Sequence, residues 1–152
     1  MVRVVETPGE QARVETIATP PKEGKRIGLS IPVRLARIGY AVICSVFVAC
    51  VLLQVFFAGM GAFGANWSWH ATFVHFLEPL PLLMVPMAFV GRLPWGLKLM
   101  PLGLLVLIGG QYALANAAVP SAALHPVNAL LIFMLSLFIA RRAWAAVARQ
   151  RR

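Results

Sequence analysis

The stretch IGYAVICSVFVACVLLQVFFAGMGA, residues 38–62, holds no charged side chain and is preceded by Arg34 and Arg37. A helix rises about 1.5 Å per residue and a bilayer core is about 30 Å thick, so about 20 apolar residues suffice to cross it. Residues 38–62 exceed that length and read as a membrane span. Three further runs follow: 70–91 with the single acid Glu78, 97–118, and 124–140. Turn signals separate them, namely Gly61, Gly64 and Asn66, then Arg92 and Pro94, then Val119 and Pro120. The expected fold is all-α, an integral membrane four-helix bundle over residues 34–143.

Composition agrees. Of 152 residues 60% are hydrophobic and 12% charged, and mean hydropathy is +0.79. Soluble domains carry about twice that charged share. The net charge of +9 would suggest nucleic acid in a soluble chain, but here the 14 Lys and Arg lie almost entirely outside the apolar runs. They sit in the N-terminal segment, at Arg92 and Lys98, and from Arg141 to Arg152; the loops 64–69 and 119–123 have none. Positive charge in short loops is retained on the cytoplasmic side, so both termini are expected to be cytoplasmic in a bacterial inner membrane. Anionic lipid headgroups are the expected partners of these charges, and no nucleic acid is.

Residues 1–33 are polar, rich in Glu, Pro and Thr, and lack the apolar core of a signal peptide; they are expected to be a disordered tail. The segment 27–37 mixes apolar residues with Arg and is expected to lie along the membrane surface. Residues 144–152 form a basic tail. Cys44 and Cys50 are six positions apart in one span, on different helix faces, which indicates neither a disulfide nor a metal site.

The few polar residues inside the spans are not scattered. Counted from the flanking basic residue, Gln54, His75 and His125 lie about 16–17 residues in, roughly 25 Å from the basic end, with Gln111 slightly deeper. Glu78 and Asn128 follow the two histidines by three positions and share a helix face with them. There is also a short internal repeat. QVFFAGMG at Gln54 resembles QYALANAA at Gln111, and HFLE at His75 resembles HPVN at His125. Both hairpins run in the same sense, which makes the repeat parallel with its pseudo-twofold axis along the membrane normal.

Two histidines at one depth on the second and fourth spans are a candidate axial pair for a membrane-embedded haem b. Ala58, Gly59, Gly61, Ala113 and Ala115 would leave room for a flat ring, and Gln54, Gln111, Glu78 or Asn128 would hold an imidazole nitrogen or a propionate. The competing reading is helix-to-helix hydrogen bonding with small residues permitting close packing. His70 stands beside Trp67 and Trp69 as a candidate ligand or a member of an interfacial aromatic belt. It is about 140° around the helix from His75, so one site cannot take both. A carboxyl in the bilayer is costly unless neutralised or paired, so Glu78 reads either as a proton or quinol group or as a partner of carbonyls freed by Pro79, Pro81 or Pro86, which are expected to kink the span.

LQVFFAGMGAF, HATFVH and HPVNALLIF, the last followed by the pair Arg141 and Arg142, resemble an uncharacterised bacterial family of small four-span membrane proteins over residues 38–143. More distantly, a span with Gln and Gly followed by a span opening with His is similar to one four-helix half of haem A synthase and its relatives. That resemblance implies haem binding, with His75 or His70 and His125 as ligands. The chain differs in having Glu78 after the second-span histidine rather than a glutamate before it, and one half rather than two.

The functional expectation is a haem b electron-transfer protein or a subunit of a membrane redox complex, with quinol or that complex as partner. The alternative is a cofactor-free accessory or scaffold subunit, acting with a partner or as a homo-oligomer. A small transporter has little polar surface to line a path. There is no nucleophile elbow, phosphate-binding Gly-Lys loop, HExxH or zinc-spaced Cys pair, and no catalytic residue is assigned.

Overall fold

The computed structural model describes residues 29–150; the tail up to residue 28 and the last two arginines lie outside them, and with them most of the expected disordered tail. Helix α1 spans Ile31–Ala62, α2 Ser68–Leu77, α3 Pro79–Val90, α4 Trp95–Ala115 and α5 His125–Arg149, the last entered through a 3₁₀ turn at Ser121–Leu124. With α2 and α3 joined end to end, four helical segments among the described residues are long and apolar enough to cross a membrane. The protein is an all-α, multi-pass membrane protein by helix length and hydropathy.

Two helices run beyond the expected spans. Residues 31–37 are the first turns of α1 rather than a separate surface segment, and α5 continues through residues 144–149. Pro32 occupies the first turn of α1, where its missing N–H costs nothing. The second span is divided at Glu78, whose N–H still donates to the Val74 carbonyl at 3.0 Å; Pro79 then opens α3, a position that spares the ladder a missing donor.

Around the bundle, α1 packs against α3 and α5, and α4 packs against the same two. α1 and α4 face each other across a diagonal, where the Tyr40 hydroxyl donates to the Leu97 carbonyl at 2.6 Å. The basic end is tightly tied. Arg37 Nε donates to the Gly91 carbonyl at 2.7 Å, closing the last turn of α3. Lys98 lies over the rings of Phe89 and Trp95, and Trp144 Nε1 donates to Ser45 Oγ at 2.9 Å.

The buried faces repeat. On α1 they are Tyr40, Cys44, Phe47 and Val51, and on α4 Leu97, Pro101, Leu104 and Ile108, each 57 positions further along, the same offset that relates Gln54 to Gln111. On α2 and α3 they are Leu77, Pro81, Met84 and Ala88, and on α5 Ile132, Ser136, Ile139 and Ala143, each 55 positions further along. The parallel repeat is therefore present through the whole depth of the bundle. Its second offset relates His125 to His70, five positions from the alignment on HFLE and HPVN. The two connections differ in length by two residues, so a register set on the glutamines does not carry over to the histidines.

The repeat is broken in one place. α5 packs on α1, whereas its counterpart α2 touches α1 but does not pack against α4 or α5. A gap is left there at the end of the bundle away from the arginines.

Candidate functional site

Into that gap opens a cavity of about 820 Å³ lined by α1, α2, α4 and α5, within the roughly 300–1,000 Å³ of small-molecule sites. Its walls are apolar side chains such as Val51, Val55, Val74, Ile108, Leu130 and Phe133, with Gln54, His70, His75, Gln111, Tyr112 and His125 as the polar members. Ala58 and Ala115 belong to the wall as well. Gly61 instead seats Trp67, whose ring lies 2.5 Å from where a Cβ would stand.

His70 opens the first turn of α2 and His125 begins α5, each following the turn that reverses its hairpin. Each histidine is held by the glutamine of the preceding helix. His70 Nδ1 is 3.1 Å from the Gln54 carbonyl oxygen, and Gln54 Nε2 donates to the His70 carbonyl at 2.9 Å. His125 Nδ1 is 3.3 Å from the Gln111 carbonyl oxygen, and Gln111 Nε2 lies 3.4 Å from His125 Nε2. A carbonyl oxygen only accepts, so both contacts are hydrogen bonds in the tautomer that carries its proton on Nδ1. His70 Nε2 then keeps its lone pair, the arrangement in which a histidine binds metal while its other nitrogen fixes the ring, whereas His125 Nε2 accepts from the Gln111 amide, which has to turn aside for a metal to bind there.

The ring centroids of His70 and His125 are 6.3 Å apart, with planes inclined by 58°. Two histidine–metal bonds of about 2.0–2.1 Å, plus the half-width of each ring, come close to that separation. Trp67 packs edge-on against His70 at 5.7 Å.

Gln54, His70, Gln111 and His125 thus form one layer, with Asn128 one turn deeper. Asn128 Nδ2 donates to the Leu107 carbonyl at 2.8 Å and to Gln111 Oε1 at 2.7 Å, joining α5 to α4. His75 and Glu78 are not part of this layer. The His75 side chain is 67% exposed, with Nδ1 3.5 Å from Glu78 Oε2, and Glu78 Oε1 accepts from the Tyr112 hydroxyl. Glu78 finds a phenol on α4, not a carbonyl freed by a proline. Tyr112 was not singled out in the sequence; the signal for it is that its repeat counterpart is Val55.

The glutamines differ in one respect. Gln111 Oε1 is satisfied by Asn128, whereas Gln54 Oε1 is buried without a hydrogen-bond partner. Among the described residues no three metal-ligating side chains converge, so the site offers two imidazoles. All described Lys and Arg lie at the other end of the bundle.

No curated protein and no solved structure matches the chain. Residues 54–118, from Gln54 of α1 to the end of the third span and enclosing His70, His75, Glu78, Gln111 and Tyr112, match a family of unknown function, DUF6220.

Proposed function

We propose that this small four-helix membrane protein is an electron-transfer protein that carries haem b between His70 and His125, alone or as a subunit of a membrane redox complex. The observation that carries the reading is the pair of repeat-related imidazoles 6.3 Å apart, each tied through Nδ1 to a glutamine carbonyl. Two ligands related by a pseudo-twofold suit a planar ring ligated on both faces. The apolar cavity suits its hydrocarbon edge, and with the cations at the opposite end its carboxylate groups are left to solvent. Bound there, the iron would supply one-electron exchange; the protein supplies two neutral imidazoles and a dry wall. His75 is the weaker ligand candidate because its counterpart in the repeat is Leu130, which leaves it without a second imidazole opposite.

The arginine-rich end is assigned to the cytoplasm by the positive-inside rule, with anionic lipid headgroups as its contacts. The test is the visible spectrum of detergent-purified protein, oxidised and dithionite-reduced, after expression with a haem precursor. A Soret band with a sharp reduced α-band, lost in His125→Ala, is expected. A colourless protein would overturn the haem reading. It would favour a cofactor-free accessory subunit, in which Asn128 serves only to join α4 to α5.

A further inference from the structure

The pseudo-twofold repeat separates residues the bundle needs twice from residues it has once. Gln54 and His70 recur as Gln111 and His125, and the buried stripe recurs with them. His75, Glu78 and Tyr112 do not: their counterparts are Leu130, Phe133 and Val55, all apolar and all on the cavity wall. One side of the cavity is therefore hydrocarbon, and the other carries His75 and Tyr112, with Glu78 beside them: the Tyr112 hydroxyl donates to Glu78 Oε1, and His75 Nδ1 lies 3.5 Å from Glu78 Oε2.

This polar triad stands where α2 and α4 fail to pack, and the Tyr112–Glu78 hydrogen bond bridges the gap. His75, Glu78 and Tyr112 are 67%, 32% and 41% exposed respectively. In a bilayer such groups are costly against acyl chains. Across the cavity on α1, diagonally opposite α4, Gln54 Oε1 is a buried acceptor with no donor, an omission that calls for a partner.

We propose that the gap between α2 and α4 is a binding site for a lipid-soluble quinol, whose ring hydroxyls are met by the His75–Glu78–Tyr112 triad on one side and by Gln54 Oε1 on the other. The chemistry selects the class. Donors and acceptors occur together without a cation, which matches a neutral ring bearing hydroxyl oxygens. A phospholipid phosphate would need Lys or Arg, and the described ones are at the far end. Polar groups on two diagonal helices suit a headgroup with oxygens at both ends, which a lipid with a single hydroxyl lacks, and the apolar lining suits a hydrocarbon tail. The proposal deepens the reading above by naming the partner molecule of the same cavity, but the binding it asserts is measurable without haem.

The experiment is isothermal titration of decylubiquinol, under argon, into the protein in phosphatidylcholine nanodiscs. Saturable binding is expected, weakened roughly three- to tenfold by Tyr112→Phe and by Glu78→Gln, as for loss of one hydrogen bond. Tyr40→Phe, which alters only a hydrogen bond at the basic end, is expected to leave it unchanged. These conservative variants are checked for helicity and monodispersity. Absence of saturable binding, wild-type affinity in both triad variants, or displacement by phosphatidylglycerol would overturn the proposal. The haem reading is scored separately: a colourless wild type that binds quinol sinks the haem reading alone, whereas a coloured wild type without quinol binding sinks this inference alone.

Discussion

His70 and His125 occupy equivalent places in the two halves of the bundle: each carries its Nδ1 against the backbone carbonyl of a glutamine on the preceding helix, at 3.1 and 3.3 Å, and their ring centroids are 6.3 Å apart. His75, five residues further along the same span, is turned to a carboxyl on its own chain segment. Equivalence under the repeat thus ranks the two second-span histidines.

That ranking is testable by substitution. His70→Ala and His125→Ala are each expected to abolish the low-spin reduced band of haem-supplied protein, and His75→Ala to retain it. A spectrum that survives His70→Ala and vanishes in His75→Ala would reverse the assignment.

Gly59 and Gly61 lie two residues apart and make opposite predictions. A Cβ at Gly61 would stand 2.5 Å from the Trp67 ring, whereas at Gly59 nothing lies within 4 Å. Gly61→Ala is expected to destabilise by about 1–3 kcal/mol through overpacking, and Gly59→Ala to be neutral or to gain up to about 1 kcal/mol of helix propensity. Reversible unfolding in mixed micelles measures both.

Two hydrogen bonds hold the basic end across long stretches of chain. Tyr40→Phe removes the donor to the Leu97 carbonyl, and a cost of about 0.6–1.7 kcal/mol is expected for such a bond between membrane helices. Arg37→Ala uncaps α3 at Gly91 and, for a charged donor that is half-buried, should cost about 1.5 kcal/mol. The same unfolding assay reads both.

Asn128 and Gln111 are directly bonded at 2.7 Å, so their substitutions should not be additive. A double-mutant cycle with Asn128→Ala and Gln111→Ala is expected to give a coupling of about 0.5–1.5 kcal/mol. Gln54, whose Oε1 has no such partner, should show no coupling to Asn128.

Orientation follows from charge. In sealed inner-membrane vesicles, on a background with both native cysteines replaced by alanine, Ala65→Cys and Arg149→Cys are expected to react with a membrane-impermeant maleimide from opposite faces. Arg149→Cys is expected to label from the cytoplasmic face, and its labelling from the periplasmic face would overturn the assignment of the arginine end to the cytoplasm.

The number of spans, their all-helical nature and the grouping of charge at one end were legible in the chain alone, because hydropathy summed over twenty residues and the positions of Lys and Arg are local properties. The layer of Gln54, Gln111 and His125 was legible as well, since depth follows from counting along a helix. Which way each helix faces was not. In a soluble bundle an apolar stripe marks the buried side, but here lipid-facing residues such as Phe56 and Leu131 are as apolar as the buried Phe47 and Ile132, and periodicity carries little information. For the same reason the repeat was caught only at its polar words and aligned on His75. Packing decided for His70, because the buried side chains from Leu77 to Ala88 and from Ile132 to Ala143 fit one helix face only in that register. The gap that sets Tyr112 against Glu78 is likewise a product of the tertiary structure: a contact between residues 34 positions apart depends on how α2 leans away from α4, which no local signal in either helix encodes.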